Sequence, residues 1–330
     1  MTIGPVSAPP QEASVAEPVS PALERVKLML FQPFDLGKWF VIGFCAWLSC
    51  LGEAGTGSGP GGNFNTGNHS HGTGADFRHG LEQAWGYVLS HLYWIVPVAA
   101  FVILLCVALG VLLLWLNSRG KFMFLHCVAL NKAEVVEPWN KFEPEGNSLF
   151  WFRLVLGLIG AVLTLPLLAM IVVLILRMIY RGEPDVSGIV TAAGLALVFF
   201  LLAVVFAIIK KFTVDFVVPI MFLRGGKCWP AWKEFYGLLS AHPGQFALYI
   251  LFQIVLSMAI GVIVLGAIII TCCIAGCLMM LPYLGTVVLL PVLIFKRAYP
   301  LYYLAQYGPQ YDVFPPPSVP PMAGTSPLPA

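Results

Sequence analysis

LYWIVPVAAFVILLCVALGVLLLWL, residues Leu92–Leu116, contains no charged side chain. A helix of about 18 or more such residues is long enough to cross the hydrocarbon core of a bilayer. The rest of the chain has the same character. Of 330 residues, 59% are hydrophobic and 10% charged, against about 45–50% and about 25% in ordinary soluble domains. A water-soluble fold of this length has too little interior to hide so much apolar surface, so the natural solvent is a membrane. The net charge of +2 and the thin scatter of basic residues argue against a nucleic-acid partner. Residues 1–20 are rich in Pro, Ser, Ala and Glu and lack an apolar core. They read as a disordered cytoplasmic tail rather than a signal peptide.

Five further segments resemble the first: Leu36–Leu51, Leu149–Ile179, Ser187–Ile209, Phe246–Thr271 and about Gly276–Phe295. The expected fold is therefore all-α, a polytopic integral membrane protein with six transmembrane helices arranged as three hairpins. Pro97, Pro166, Pro282 and Pro291 fall in or near these segments and are expected to bend helices rather than end them. Ahead of the first segment, Ala22, Val26, Met29 and Leu30 recur at helical spacing, with Glu24, Arg25 and Lys27 on the other side. This predicts a short amphipathic helix, with Ser20 as N-cap and Pro21 at its first position. Asp35 is placed to cap the helix that follows.

Basic residues set the orientation. Arg78, Arg177 and Arg181 fall on one side of the predicted membrane, and the other 15 of the 18 lysines and arginines on the opposite side. Positive charge is retained in the cytoplasm, so both termini are expected there, in a cell-membrane protein. The six-span domain then covers 21–306, with an external Gly-rich loop at 53–84 and a disordered Pro-rich cytoplasmic tail at 307–330.

Two of the cytoplasmic connections resemble each other. MFLHCVALNKAEVVEPWNKFEPEGNSLFWFRLVL (Met123–Leu156) and MFLRGGKCWPAWKEFYGLLSAHPGQFALYILF (Met221–Phe252) share Met-Phe-Leu, then Trp-x-x-Phe, then an aromatic entry into the next span. VPIMFLR (Val218–Arg224) likewise parallels LPVLIFK (Leu290–Lys296). The unit reads as cytoplasmic interfacial amphipathic helix, span, span, three times over, an internal repeat of a kind common in membrane proteins. Trp39, Trp115, Trp139, Trp151, Trp229 and Trp232 cluster at the cytoplasmic level, where an indole has both an apolar and a wet neighbour.

FQPFDLGKWFVIGFCAWL (Phe31–Leu48) and SRGKFMFLHCVALNKAEVVEPW (Ser118–Trp139) resemble a family of uncharacterised prokaryotic multi-span membrane proteins. That family is in turn similar to the membrane domain attached to some glycerophosphodiester phosphodiesterases. The likeness covers roughly residues 20–305 and implies a six-helix membrane domain of unknown role. The likeness is to the membrane domain and not to the phosphodiesterase domain, so that activity is not carried over.

Chemistry-bearing motifs are sparse. The run GTGSGPGGNFNTGNHSHGTG (Gly55–Gly74) is no phosphate loop, since it lacks the Gly-Lys-Ser/Thr ending. It reads as a flexible strap. His69, His71 and His79 in or beside it are candidate metal ligands, without the fixed Cys/His spacing of structural sites. Cys272, Cys273 and Cys277 fit small-residue packing at a turn better than a metal site. No ionisable residue occupies the middle of a span, as an ion path would require. Asp215 can pair with Lys211, one turn away, or with a cation from another helix. Gln253 and Ser257 share a helix face, for polar packing against a neighbouring helix or for substrate contact. Gly157 with Ala161, and Gly188 with Ala192 and Ala196, form small-residue ridges suited to close helix packing. Glu134, Glu137, Glu143 and Glu145 read as a solvated face interleaved with Lys132 and Lys141.

No protease or hydrolase signature occurs, and no cofactor is implied. The expected partners are membrane lipids, with a protein partner able to dock on the cytoplasmic helices or on PPPSVPP (Pro315–Pro321). The expected function is a non-enzymatic scaffold or accessory protein of the cell envelope. The alternative is a transporter or lipid-handling protein.

Overall fold

The computed structural model describes residues 13–52, 90–181, 186–271 and 281–314, and every regular element among them is helical. The chain opens with α1 (Val19–Leu30), α2 (Leu36–Cys50), α3 (Leu92–Leu130), α4 (Val136–Lys141) and α5 (Glu143–Arg181). It continues through α6 (Val186–Phe212), a π-helical turn at Thr213–Val217, α7 (Val218–Arg224), α8 (Cys228–Ala241) and α9 (Pro243–Ile270). It closes with α10 (Pro282–Val288), α11 (Leu290–Ala305) and a 3₁₀ turn at Pro309–Tyr311.

Four helical stretches are long and apolar enough to cross a bilayer: Tyr93–Leu130, Glu143–Met178, Val186–Arg224 and Pro243–Ile270. They are also too long for that alone. The 39 residues of α3 extend about 58 Å, against a hydrocarbon core of about 30 Å. The excess is used at one end. Residues 93–111 of α3 are almost wholly uncovered, whereas Asn117–Ala129 are buried. The same ends of α5, the α6–α7 stretch and α9 join α1, α2, α8 and α11 around one core, a hub that includes Phe122, Leu125, Phe216, Phe235, Tyr249 and Tyr303. Bare apolar shafts project from this hub.

α2 belongs to the hub. It runs antiparallel to the buried half of α3: Lys38 Nζ donates to Asn131 Oδ1 at 2.8 Å, and Asn117 Nδ2 donates to the carbonyls of Ser49 and Leu51 at 2.6 and 2.9 Å. Gly120 makes this approach possible, since a Cβ there would stand 2.6 Å from the Leu48 carbonyl carbon. The first helical segment thus lies beside residues 117–131 of α3 rather than beside its bare stretch. On its other side it meets α10, where Tyr283 Oη donates to the Phe40 carbonyl at 2.9 Å.

Local expectations fare unevenly. Asp35 caps α2, accepting from the Gly37 amide at 2.8 Å. Ser20 is not a cap: α1 starts at Val19 behind Pro18, with no side-chain cap bond. Pro21 fits the first turn, where amides lack helical partners anyway. Ala22, Val26, Met29 and Leu30 are the buried face of α1, as their spacing implies. Arg25 is only half-solvated. Its guanidinium donates to the Val128 carbonyl at 2.8 Å and the Ala129 carbonyl at 2.5 Å, serving carbonyls that the end of α3 leaves without partners. Pro97 and Pro166 lie inside α3 and α5. Pro282 and Pro291 instead begin α10 and α11, the position at which a missing amide proton costs least. As described, the sixth segment is two helices meeting at Leu289.

The expected tails are partly packed. Val15 accepts a 2.8 Å hydrogen bond from Tyr299 Oη. At the other end Tyr311 and Val313 are buried, and Phe314 stacks on Tyr302 at 4.2 Å. Aromatic side chains at 307–314 bring that stretch into the hub, where composition alone had assigned it to the tail.

Candidate functional site

Two polar constellations lie where shafts meet hub. The first lines a cavity of about 520 Å³ between α3, α5 and α6. Asn117, Arg153, Lys210 and Thr213 stand at its hub end, while Gly110, Leu113, Leu156, Gly157, Gly160, Ala203 and Phe206 form its shaft end. From Arg153 to Thr164 the α5 wall runs about 16 Å. No Asp or Glu is among the lining residues.

Sequence and packing both place these groups. Arg153, Leu156, Gly157, Gly160 and Thr164 share one face of α5 at helical spacing. Arg153 Nη1 donates to Asn117 Oδ1 at 2.5 Å, and the amide of that asparagine is fixed on the last carbonyls of α2. The end of α2 thus orients the cationic rim. The expected ridge at Gly157 is not a packing contact, because a Cβ there would meet nothing within 4 Å. At Gly188 a Cβ would stand 3.7 Å from Met178, an ordinary contact that leaves room for a methyl group. Two cations above an apolar slot are complementary to an amphiphile with an anionic head.

The second constellation gathers sites marked in the sequence. Asp215 sits in the π turn and is buried. Its Oδ2 pairs with Lys211 Nζ at 2.8 Å and accepts from Tyr249 Oη at 2.8 Å. Gln253 Nε2 donates to that Tyr249 oxygen at 3.1 Å. Asp215 and Gln253 are therefore joined through a residue the sequence reading passed over. Tyr249 lies one helical turn before Gln253, and that spacing was the available signal. Ser257, a turn further on, is exposed and outside the network. The surroundings are close-packed rings, with Phe216 and Tyr303 at 4.9 and 4.8 Å from Tyr249. Asp215 and Gln253 thus take part in polar packing between the π turn and α9. A π turn leaves backbone carbonyls out of helical register, and Arg297 Nη1 donates to one of them, Val214, at 2.8 Å.

His69, His71 and His79, and Cys272, Cys273 and Cys277, lie outside the described residues. On the acidic face Glu137 and Glu143 are exposed, and Glu134 and Glu145 are half-buried. Glu143 accepts from Arg119 at 2.8 Å, and that guanidinium stands over the Trp115 and Trp139 rings at 4.6 and 4.9 Å.

Four long apolar helices bound at one end into a polar-stitched hub define a helical protein of the membrane class. The chain belongs to a family of unknown function, DUF7544, whose model matches residues 13–282. No curated protein and no solved structure matches it.

Proposed function

We propose that this protein is a non-enzymatic lipid-handling membrane protein that holds an anionic phospholipid in the cavity between α3, α5 and α6. The carrying observation is the polarity of that cavity, with Arg153 and Lys210 at one end and glycine and leucine at the other. In this reading the hub lies at the cytoplasmic face of the cell membrane with both termini, as the lysine and arginine bias supports. The rim then meets the headgroup level and the slot meets acyl chains. The resemblance to membrane domains of glycerophosphodiester phosphodiesterases points the same way, since a glycerophosphodiester is the head of a phospholipid.

Six crossings would need α2 and the α10–α11 segment to traverse beside the long helices. Since α3 starts and α9 ends on the shaft side, a chain with both termini on the hub side must cross once before α3 and once after α9, which supports six passes with α2 and the α10–α11 segment contributing to the first and last. The exposed Leu23 and Leu28 of α1 suit an interfacial position. The parallel succession of α3, α4 and α5 and of α7, α8 and α9 supports the internal repeat. A scaffold role is the second reading, supported by the exposed Trp229 and Tyr236 of α8, which a partner protein would cover.

Native mass spectrometry of the protein released from nanodiscs of mixed phospholipids tests the lipid reading. The expected result is an anionic phospholipid at fixed stoichiometry, lost in Gly157→Leu and less selective for anionic heads in Arg153→Gln. Gly157 faces open space, so the leucine fills the slot without displacing a neighbour. Equal retention in all three proteins, or a co-released protein chain with no lipid, overturns it.

A further inference from the structure

The turn between α3 and α4 holds an unexplained polar cluster, remote from the lipid cavity in its chemistry. His126 lies in the last turns of α3 and is 1% exposed. Among the described residues neither of its ring nitrogens has a hydrogen-bond partner, nor does the buried Oε2 of Glu134, whose carboxylate also interacts with Glu137 and Lys132. The two face each other, His126 Nε2 standing 3.8 Å from Glu134 Oε2. That is too far for a hydrogen bond. Polar atoms buried away from water are normally hydrogen-bonded, so the arrangement calls for something between them.

Glu137 completes the set. One donor atom from each of His126, Glu134 and Glu137 lies within 4.8 Å of the other two. Bonds of about 2.0–2.2 Å to a tetrahedral metal place ligand atoms roughly 3.5 Å apart, so small rotations of the glutamate side chains close the site. Two carboxylates held together repel unless a cation or proton lies between them. Lys132 offsets part of this charge, but its Nζ stands 3.6 Å from Glu134 Oε1, the oxygen other than the one that faces His126.

The backbone holds this geometry. Asn131 ends α3 in the left-handed region at φ 57° and turns the chain back, and the Glu134 carbonyl lies 3.6 Å from Cys127 Sγ. Phe142 and Phe222 stand 5.9 and 6.4 Å from the imidazole, forming an apolar wall. Glu137 is exposed, so the fourth coordination position opens to solvent. One imidazole with two carboxylates suits a borderline divalent ion, whereas calcium and magnesium take oxygen sets.

We propose that His126, Glu134 and Glu137 bind one divalent transition-metal ion of the zinc type, which fastens the end of α3 to the start of α4. The probe is Co²⁺, titrated into the full-length protein and followed by its visible absorption, with Zn²⁺ as competitor. The background is the His69→Asn, His71→Asn, His79→Asn triple variant, so that no signal comes from those histidines. The expected result is one Co²⁺ per chain, displaced by Zn²⁺, absent in His126→Asn and bound at least about tenfold more weakly in Glu137→Gln. Glu137 is exposed, so that variant folds even if the buried one does not. No cobalt band in the triple variant, or a band unchanged in Glu137→Gln, overturns the proposal and leaves His126 facing Glu134 with no metal between them.

Discussion

Hub and shafts are made from the same residue types and held by different forces. Ile294 in the hub is 0% exposed, whereas Ile263 on the α9 shaft is 68% exposed. Around Ile294, burial removes apolar area from water and packing is dense. Ile263 lies on a helix long and apolar enough to cross a bilayer, where hydrocarbon would give helices no hydrophobic reason to associate. The comparison teaches that hydrophobicity alone does not locate the core of a membrane protein. The core is where polar side chains are also buried. Asn117, Arg119, Asp215, Gln253 and Arg297 are all in the hub.

The sharpest way to break this contrast is a matched pair of truncations. Ile294→Ala is expected to cost about 4 kcal/mol and Ile263→Ala less than about 1 kcal/mol, the first removing a packed side chain and the second exchanging methyl groups for lipid. Denaturant unfolding in one detergent measures both, and equal losses would erase the distinction. Next is Gly120→Val, expected to cost about 3 kcal/mol by forcing α2 off α3, with a matching loss of protease resistance in α2. Asp215→Asn removes the charge partner of Lys211 and is expected to cost about 2 kcal/mol. Here Lys211→Met should soften the penalty, because it removes the stranded cation.

The pH effect is smaller. Burial raises the phenol pKa of Tyr299, Tyr303 and Tyr307 above 10.0 in the folded chain. A raised folded value means that the neutral form is favoured by folding. That stability is complete below pH 10 and is lost as pH rises through the folded values. Melting temperature measured from pH 8 to 11 should therefore fall at the alkaline end, with a shallower fall in Tyr307→Phe. Tyr299→Phe, which loses only the bond to Val15, is expected to cost about 1 kcal/mol at neutral pH.

The shafts were legible because 25 uncharged residues such as Leu92–Leu116 admit few other readings. The Asp35 cap and the buried face of α1 were legible because they depend on residues within one or two turns. The site was less so. Asp215 and Gln253 were visible as polar residues in apolar surroundings, but Tyr249 between them looks like any interfacial tyrosine. The cavity was hidden because Gly157 packs nothing, and a glycine that lines empty space has the same letter as one that admits a neighbour. The packing of α2 was not legible, for a physical reason. A helix buried in protein on one face and apolar on the other has the composition of a short span. Its partner, the half of α3 that carries Arg119 and Lys121, is identified only by long-range contacts.

The π turn at Thr213–Val217 gives the α6–α7 stretch a joint. A wide turn holds one residue more than an α turn, so the segment beyond it is out of phase with the segment before it by about 100°. The stripe that greets lipid along α6 is thereby rotated away, and a different stripe greets the aromatic rings of the hub. Annealing the joint into a regular helix would need the Val214 carbonyl back, and the guanidinium of Arg297 already holds it. α11, the last α-helix among the described residues, thus acts as a pawl on the third shaft, keeping it at one angular setting for as long as α11 stays seated.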